Sequence, residues 1–464
     1  MAKVARQNTG NPAGPLATAK ERFAAGKKLR ERVTRSAQGR WVSHRHEADP
    51  TAWLTEADRG RLAALLPIRY ARMRASPFAF FRGAAALMAA DLALTPITGI
   101  RVQACGDCHA ENFGGFGTPE RRLVFDINDF DETLPAPWEW DVKRLATSIV
   151  LAMRDTGAGD RRCSDAARAA VESYRRHMRE YAEMTALEVW YSYLSAERFI
   201  EDADSADARK RWRKRVDKAM LNSSGHEFPK IAAVRDGRAR IVDRRPLIYH
   251  SREIATIGKH VRRMFLGYRE TLGPECRLVL DRYRIADVAR KVVGIGSVGT
   301  RCAVVLLMAA AHDPLLLQVK EARASVLAPY ASKSKYRNEG ERVVTGQRML
   351  QSASDVFLGW SCDGLGHDFY FRQLRDMRMK IDVQEMAKQD WFEYVQLCGW
   401  VLARAHARTG DPARIAGYLG KASAFDEAVA KFAVAYADQT ERDYASFLKA
   451  IRAGRIRVSA SGAP

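Results

Sequence analysis

The segment from residue 101 to residue 131 limits the fold more than any other. Two β-prone runs, Arg101 to Ala104 and Leu123 to Phe125, are joined by a polar, Gly-rich stretch from Gly106 to Thr118. That stretch opens with Gly106-Asp107-Cys108-His109-Ala110-Glu111-Asn112, and the second run passes into Phe125-Asp126-Ile127-Asn128-Asp129-Phe130-Asp131. Charged groups packed this densely beside strand residues cannot all be buried without partners. The segment is therefore expected to edge a site, with short strands behind it and the chemistry on the loop. An Asp and an Asn five apart on one loop, followed one hairpin later by acidic residues, would bring oxygen ligands hard enough for Mg2+ to one place.

Phosphoryl transfer asks a protein mainly to position groups and balance charge. One Asp accepts or orients the attacking hydroxyl, while an Asn and a second Asp hold Mg2+ on the phosphates. Both halves are present here. A second constellation lies far downstream, where Gly294-Ile295-Gly296-Ser297-Val298-Gly299 separates two β-prone runs and Lys320 falls on a third. Val288 to Val293, Val304 to Leu307 and Leu315 to Val319 read as a hairpin followed by a third antiparallel strand. In that setting Gly294, Gly296, Ser297 and Gly299 let backbone amides approach phosphates, and Lys320 would pair them. A dinucleotide-binding turn would need a helix directly after the glycines, but Thr300 to Val305 is β-prone. A Glu on the next helix would hold the Lys, and Glu339 and Glu341 are the candidates.

These motifs resemble those of the kinase-like phosphotransferases, above all the aminoglycoside and choline kinase branch, with its H-G-D-x-H-x-x-N loop and later metal-binding Asp. The resemblance implies that Asp107 is the catalytic Asp, that Asn112 and Asp129 hold metal, with Asp126 as the other candidate, and that ATP and Mg2+ are the cofactors. His109 occupies the second His of that loop. Asp141 lies twelve residues after Asp129, where the branch has its D-L-A segment. Cys105 departs from the branch's first His, and Asp131 from the Gly of the protein-kinase D-F-G. The order is also reversed, with the catalytic loop ahead of the Gly-rich lid. A circular permutation reconciles the two when termini lie close together. The implied architecture is an α+β, protein-kinase-like fold in permuted order, with a small antiparallel β lobe and a large helical lobe. Over roughly residues 30–450 the succession RYARMRASPFAFFRG, GDCHAENFG, FDINDFDE, GIGSVGTRC, LLLQVKEA, GQRMLQSASDVFLGW and FYFRQLRDM is similar to the bacterial family DUF2252, whose name carries no reaction.

The chain divides into a basic, mobile arm (1–45), a helical lobe with the catalytic and metal loops (46–160), a helical insertion suited to substrate (161–275), a β-rich nucleotide lobe (276–390) and C-terminal helices (391–464). Helical periodicity runs from Asp58 to Leu94, where Arg69 and its neighbours read as surface or capping charges, and again from Ser164, where Ala167 to Leu187 form an apolar stripe. Lys plus Arg number 76 against 55 Asp plus Glu, a formal +21, which speaks about partners and not about fold. The arm and the run Arg209 to Arg215, with Trp212 inside it, would suit nucleic acid; the plainer reading is a solvated helix face with Trp212 turned inward. A nucleotide-sensing, nucleic-acid-binding protein without turnover is the rival to an enzyme acting on a hydroxyl of a small molecule or protein, and adenylyl transfer fits the same residue types. Cys105-Gly106-Asp107-Cys108-His109 also spells a haem-attachment or dithiol motif, but no export signal accompanies it. The longest purely apolar run, Cys302 to Ala311, is ten residues, short of the roughly 20 that span a bilayer. A reduced, cytoplasmic protein without a membrane span is expected.

Overall fold

A computed structural model describes residues 17–43, 50–203, 205–235, 238–251, 261, 263–292, 294–374 and 377–459. The architecture is α+β, with helices as the larger part and several small antiparallel sheets. Strands are numbered along the chain: β1 (Arg101–Ala104), β2 (Phe113–Gly117), β3 (Leu123–Ile127), β4 (Leu134–Pro137), β5 (Ala232–Arg235), β6 (Arg238–Ile241), β7 (Ile248–Tyr249), β8 (Arg284–Lys291), β9 (Cys302–Ala310), β10 (Asp313–Ala322), β11 (Gly359–Cys362), β12 (Asp368–Gln373) and β13 (Met379–Lys380).

The expected hairpin and third strand are β8, β9 and β10, the middle of a six-stranded sheet in the order β11-β12-β10-β9-β8-β7. Successive side chains on β10 alternate between faces. Leu315, Leu317 and Val319 pack with Tyr268 and Phe371 on one side, and Gln318 and Lys320 share the other. Lys320 is in register with Tyr370, and Gln318 with Arg372. The stretch expected as a loop between β1 and β3 contains a strand of its own, β2, which pairs with β3 and with β13. A side chain at Gly114 would come within 2.4 Å of the Met379 carbonyl, so Gly114 admits that neighbour.

The helical part is built on a layer of long helices, Trp138–Asp155, Asp160–Glu183, Trp391–Thr409 and Ala424–Arg452. Trp138 stacks on Tyr174 and Phe425 with ring centroids 5.8 and 5.2 Å apart. The apolar stripe on the second helix is buried as far as Tyr181, but the helix stops at Glu183, leaving Met184 and Leu187 exposed. Residues 58–94 form three short helices, Leu66–Met73, Pro77–Gly83 and Ala85–Leu92, in place of one continuous stretch. Pro67 and Pro77 lack the donor an inner turn needs, and the Ser76 side chain accepts from the Ala79 amide to start the second helix afresh.

From residue 19 onward the expected mobile arm is docked. Helix Ala19–Lys28 lies against Pro412–Leu419 so closely that a side chain at Gly26 would stand 2.0 Å from the Arg414 carbonyl. Arg22 pairs with Asp411 at 2.9 Å, and Arg30 and Arg35 donate to the carbonyls of Tyr418 and Leu419, each at 2.9 Å. These arginines satisfy the end of a helix, which is why this part of the basic segment is not free. Residues 1–16 and 44–49 of the arm lie outside the described residues. Among the described residues no helix is long and apolar enough to cross a membrane.

Candidate functional site

Gly106 takes a positive φ of 84°, and a side chain there would meet the Glu132 carbonyl at 2.3 Å, so the tight entry to the loop requires glycine. Asp141 fixes the same turn by accepting from the amides of Cys105 (2.6 Å) and Gly106 (3.0 Å). Behind Asp141 stands His406, wholly buried, with Nε2 3.3 Å from the Asp141 carboxylate and Nδ1 2.9 Å from the Tyr174 hydroxyl. Asn112 Nδ2 donates to the Asp107 carbonyl at 2.6 Å, closing the loop. The Asp107 carboxylate accepts from Arg144, whose Nε lies 2.7 Å away and whose Nη2 also pairs with it. Arg144 is buried and lies over the Phe81 ring at 4.3 Å. His109 Nε2 is 3.9 Å from Asp107 Oδ2, and its Nδ1 is buried without a hydrogen-bond partner. Burial, reinforced by Arg82 and Arg144, holds the His109 imidazole well below its ordinary range, so the ring is neutral.

The downstream acidic residues separate into two roles. Asp131 accepts from the Tyr370 hydroxyl (2.7 Å) and the Ser297 hydroxyl (2.9 Å), and it pairs with Lys320. Asp129 Oδ1 lies 3.6 Å from Lys320 Nζ and is buried without a hydrogen-bond partner. Burial alone would pull the Lys320 ammonium down, but the Asp129 and Asp131 carboxylates outweigh it and hold the ammonium above its ordinary range. Asp126 does not join this group. It is completely buried and accepts from Arg404 Nη2 (2.6 Å), the Ile127 amide (2.9 Å), and the Ser352 amide and hydroxyl (2.8 Å each). With its oxygens committed to the framework, the second metal candidate is a structural node.

Neither Glu339 nor Glu341 pairs with Lys320. Glu339 pairs with Arg342, and the Glu341 amide caps onto Asn338 Oδ1 at 3.0 Å. The helix Glu339–Leu350 instead presents Arg342, which donates to the carbonyls of Thr133 (2.7 Å) and Asp131 (2.9 Å). The acids beside Lys320 therefore come from the segment that follows β3, as Asp129 and Asp131, and not from this helix.

The glycine-rich loop closes over these groups. It forms a 3-10 turn at Ile295–Ser297, and Gly299 turns back toward β9 with φ 93°. A methyl group at Gly296 would stand 3.8 Å from Asp107 Oδ2, so the two constellations meet despite their separation in the chain. Arg69, expected as a surface or capping charge, is 1% exposed and donates to the Ile295 carbonyl at 2.6 Å. The available signal was its spacing, since Leu65, Arg69 and Met73 recur every four residues and Arg69 thus falls on the buried stripe. A cavity of about 70 Å³ is lined by Asn128, Gln318, Gln347 and Arg372 among others, with Phe116 as its apolar member.

Glu132, which sequence reasoning did not single out, follows directly after Asp131. Burial raises its carboxyl to about 7, and Asp131 and Asp107 add to the rise against Arg342 and the Val326 amide. A carboxyl with a raised folded value stabilises the fold at low pH and loses that contribution as pH climbs through about 7. Glu132→Gln keeps an acceptor for the Val326 amide and removes the charge. It should match the wild type near pH 5 and exceed it by about 2 kcal/mol near pH 8. Urea melts at the two pH values check this, and an equal gap at both would clear Glu132 of the titration.

The other sequence candidates fall outside this site. In helix Ala206–Met220 Trp212 is 1% exposed and packs on Phe199 at 5.4 Å, so it is not free to stack a base. Arg211 and Arg215 pair with Asp390, while Arg209, Lys210, Arg213 and Lys214 face solvent. Cys105 and Cys108 lie in the hydrophobic core, and burial pushes the Cys108 thiol well above its usual range, which suits neither haem attachment nor thiol exchange. Among the described residues no group of three or more His, Cys, Asp or Glu is arranged to hold a metal ion.

No curated protein and no solved structure matches the chain. The family described as "Uncharacterized protein conserved in bacteria (DUF2252)" matches residues 61–450, a span that takes in Asp107, Asp129, the glycine-rich loop, Lys320 and the arginines around them. With most of its length inside that match, the chain belongs to the DUF2252 family.

Proposed function

We propose that this protein is a phosphotransferase with a circularly permuted, protein-kinase-like arrangement, moving a phosphoryl group from ATP to a hydroxyl of a small molecule or a protein. The observation that carries this reading is the convergence of the Gly296 backbone on Asp107, where an added methyl group would stand 3.8 Å from Oδ2, together with that of Lys320 on Asp129 at 3.6 Å. Phosphoryl transfer needs this set in one place, an acidic orienter, a phosphate-pairing Lys and a glycine-rich loop, and a simple binder does not. Asp107, tied to Arg144 through Oδ1, would receive the acceptor hydroxyl on Oδ2. Lys320 would leave Asp131 to pair with phosphate oxygens, and Ser297 and Gly296 would frame the same phosphates from above.

The donor set fits Mg2+. Asp129 Oδ1 is a buried oxygen without a hydrogen-bond partner, and Asn112 is bonded through its amide nitrogen, leaving its oxygen as a further donor. Mg2+ is commonly held by one or two carboxylates and the substrate's own phosphates, so a cage of three acidic residues is not required. When bound, the ion would neutralise charge on the phosphates.

The direct test is thermal stability of the wild type and Lys320→Ala with Mg2+ alone and with Mg2+ plus ATP, ADP, GTP or NAD. Mg-ATP at a hundred times its Kd should stabilise the wild type by about 2.7 kcal/mol, and Lys320→Ala should lose most of that increment. No shift with any nucleotide would sink the reading and leave the solvent-facing cations of Ala206–Met220, with nucleic acid as their ligand, as the feature to pursue. Transfer of label from the γ position distinguishes phosphoryl from adenylyl transfer, which would carry the α label.

A further inference from the structure

The glycine-rich loop belongs to the β lobe, but the side chains that pin it come from the helical segment at 58–69. All three guanidinium nitrogens of Arg69 are engaged, and one of them, Nη1, holds the loop. Nε donates to Asp58 Oδ1 at 2.9 Å, Nη2 to the Gly83 carbonyl at 2.7 Å, and Nη1 to the Ile295 carbonyl at 2.6 Å, with the Gly296 carbonyl at 3.4 Å. Asp58 is itself 5% exposed and accepts from the Tyr70 hydroxyl at 2.7 Å. It also pairs with Arg61 at 2.9 Å, and Arg61 Nη1 donates to the Val298 carbonyl at 2.8 Å. The Leu62 amide donates to the Gly299 carbonyl at 2.7 Å. The Ile295, Gly296 and Val298 carbonyls of the loop are thus tied to one acid-anchored pair of arginines, and the Gly299 carbonyl to the neighbouring backbone.

The chemistry of those bonds bears on what the loop can face. A carbonyl oxygen repels phosphate oxygens, whereas an amide attracts them. A carbonyl bound by a buried guanidinium cannot also turn toward a phosphate, so the clamp selects a loop conformation whose acceptors are occupied on its outer side. Arginine suits this because its planar fork donates along several fixed directions at once, which an ammonium on a flexible stem does not.

We propose that Arg69, fixed by Asp58, is a positioning residue that sets the Gly294–Gly299 loop over Asp107 through the Ile295 and Gly296 carbonyls. Its consequence for catalysis rests on the phosphotransferase reading; the clamp itself does not.

The test uses the full chain as wild type, Arg69→Lys and Arg69→Met. Hydrogen exchange without nucleotide should speed at least tenfold in a peptide covering 294–300 in both variants, with β1 and β3 unchanged, because the loop opens locally. In hydrolysis of Mg-ATP by water, KM should rise about tenfold while kcat stays within about threefold, the signature of lost ground-state positioning. Unchanged exchange of the 294–300 peptide in a folded variant would overturn the proposal, as would an equal rise in loop and core. If Arg69→Met does not fold, Arg69→Lys decides; if neither folds, Arg69 is a core anchor and the proposal falls. Faster loop exchange in a protein whose wild type neither binds nor hydrolyses Mg-ATP would leave the clamp standing and remove the phosphotransferase reading.

Discussion

Asp107→Asn should lower ATP turnover by roughly 10²–10⁴-fold and leave the affinity for Mg-ATP within a few-fold of the wild type, the range seen when a positioned acid–base group is removed. Two features of its surroundings lead to this expectation. Oδ1 is occupied by Arg144, so the atom available to an acceptor hydroxyl is Oδ2, on the side where Gly296 approaches. The groups that would meet the nucleotide in the proposed reading, Lys320, Asp129 and the loop, sit on other elements and do not depend on the Asp107 carboxylate. Asn preserves the shape and an acceptor for Arg144 but loses the charge that would draw the hydroxyl proton. Because Arg144 is then buried beside a neutral partner, the variant should also melt a few degrees lower, and turnover must be read below that temperature. Titration of Mg-ATP against each protein, alongside turnover, separates the roles. Loss of binding together with turnover would make Asp107 a structural residue and not the orienter.

Asp126→Asn should cost about 3–5 kcal/mol of folding stability, the usual penalty for breaking a buried ion pair and leaving one charge alone. Arg404 is 2% exposed and would lose its carboxylate, and the Ser352 amide and hydroxyl would lose a charged acceptor. Asp129→Asn provides the contrast. Asp129 keeps part of its side chain open and has no hydrogen bond on Oδ1, so its replacement should change stability by about 1 kcal/mol or less, as for a weakly held pair. What it should remove is the dependence of ATP binding on Mg2+. Urea melts of the two variants, with nucleotide titrations at several Mg2+ concentrations, test the assignment. A destabilised Asp129→Asn beside a stable Asp126→Asn would reverse the roles given to these two carboxylates.

Local signals were legible where a short stretch of chain settled the outcome. The three β-prone runs between Val288 and Val319, set around two turns, sufficed for an antiparallel hairpin and a third strand, because β pairing between neighbouring runs is a local matter. The density of Asp, Asn and Gly from 106 to 131 marked a site because such groups cannot be packed away unpaired. The DUF2252 resemblance, carried by motifs along the chain, holds over 61–450. Length and period could not show that β2 lies inside the expected loop, since its glycines carry no strand signal and one of its two pairing partners, β13, is more than 250 residues away.

By itself the amino-acid sequence singled out residues whose type and spacing suit the proposed chemistry, Asp107, Asn112, Asp129, Asp131 and Lys320, wherever they come to lie. The partner of each charge was set by packing. Arg144 for Asp107, Arg404 for Asp126, Asp131 in place of Glu339 or Glu341 for Lys320, and Arg69 for the glycine-rich loop are all pairings across elements distant in the chain. The reason is physical. A carboxylate or guanidinium taken out of water must find an opposite charge or a carbonyl, and many residues of the right type are available; which one is within 3 Å is settled by how helices and sheets pack, a property of the whole core that no local stretch of sequence contains.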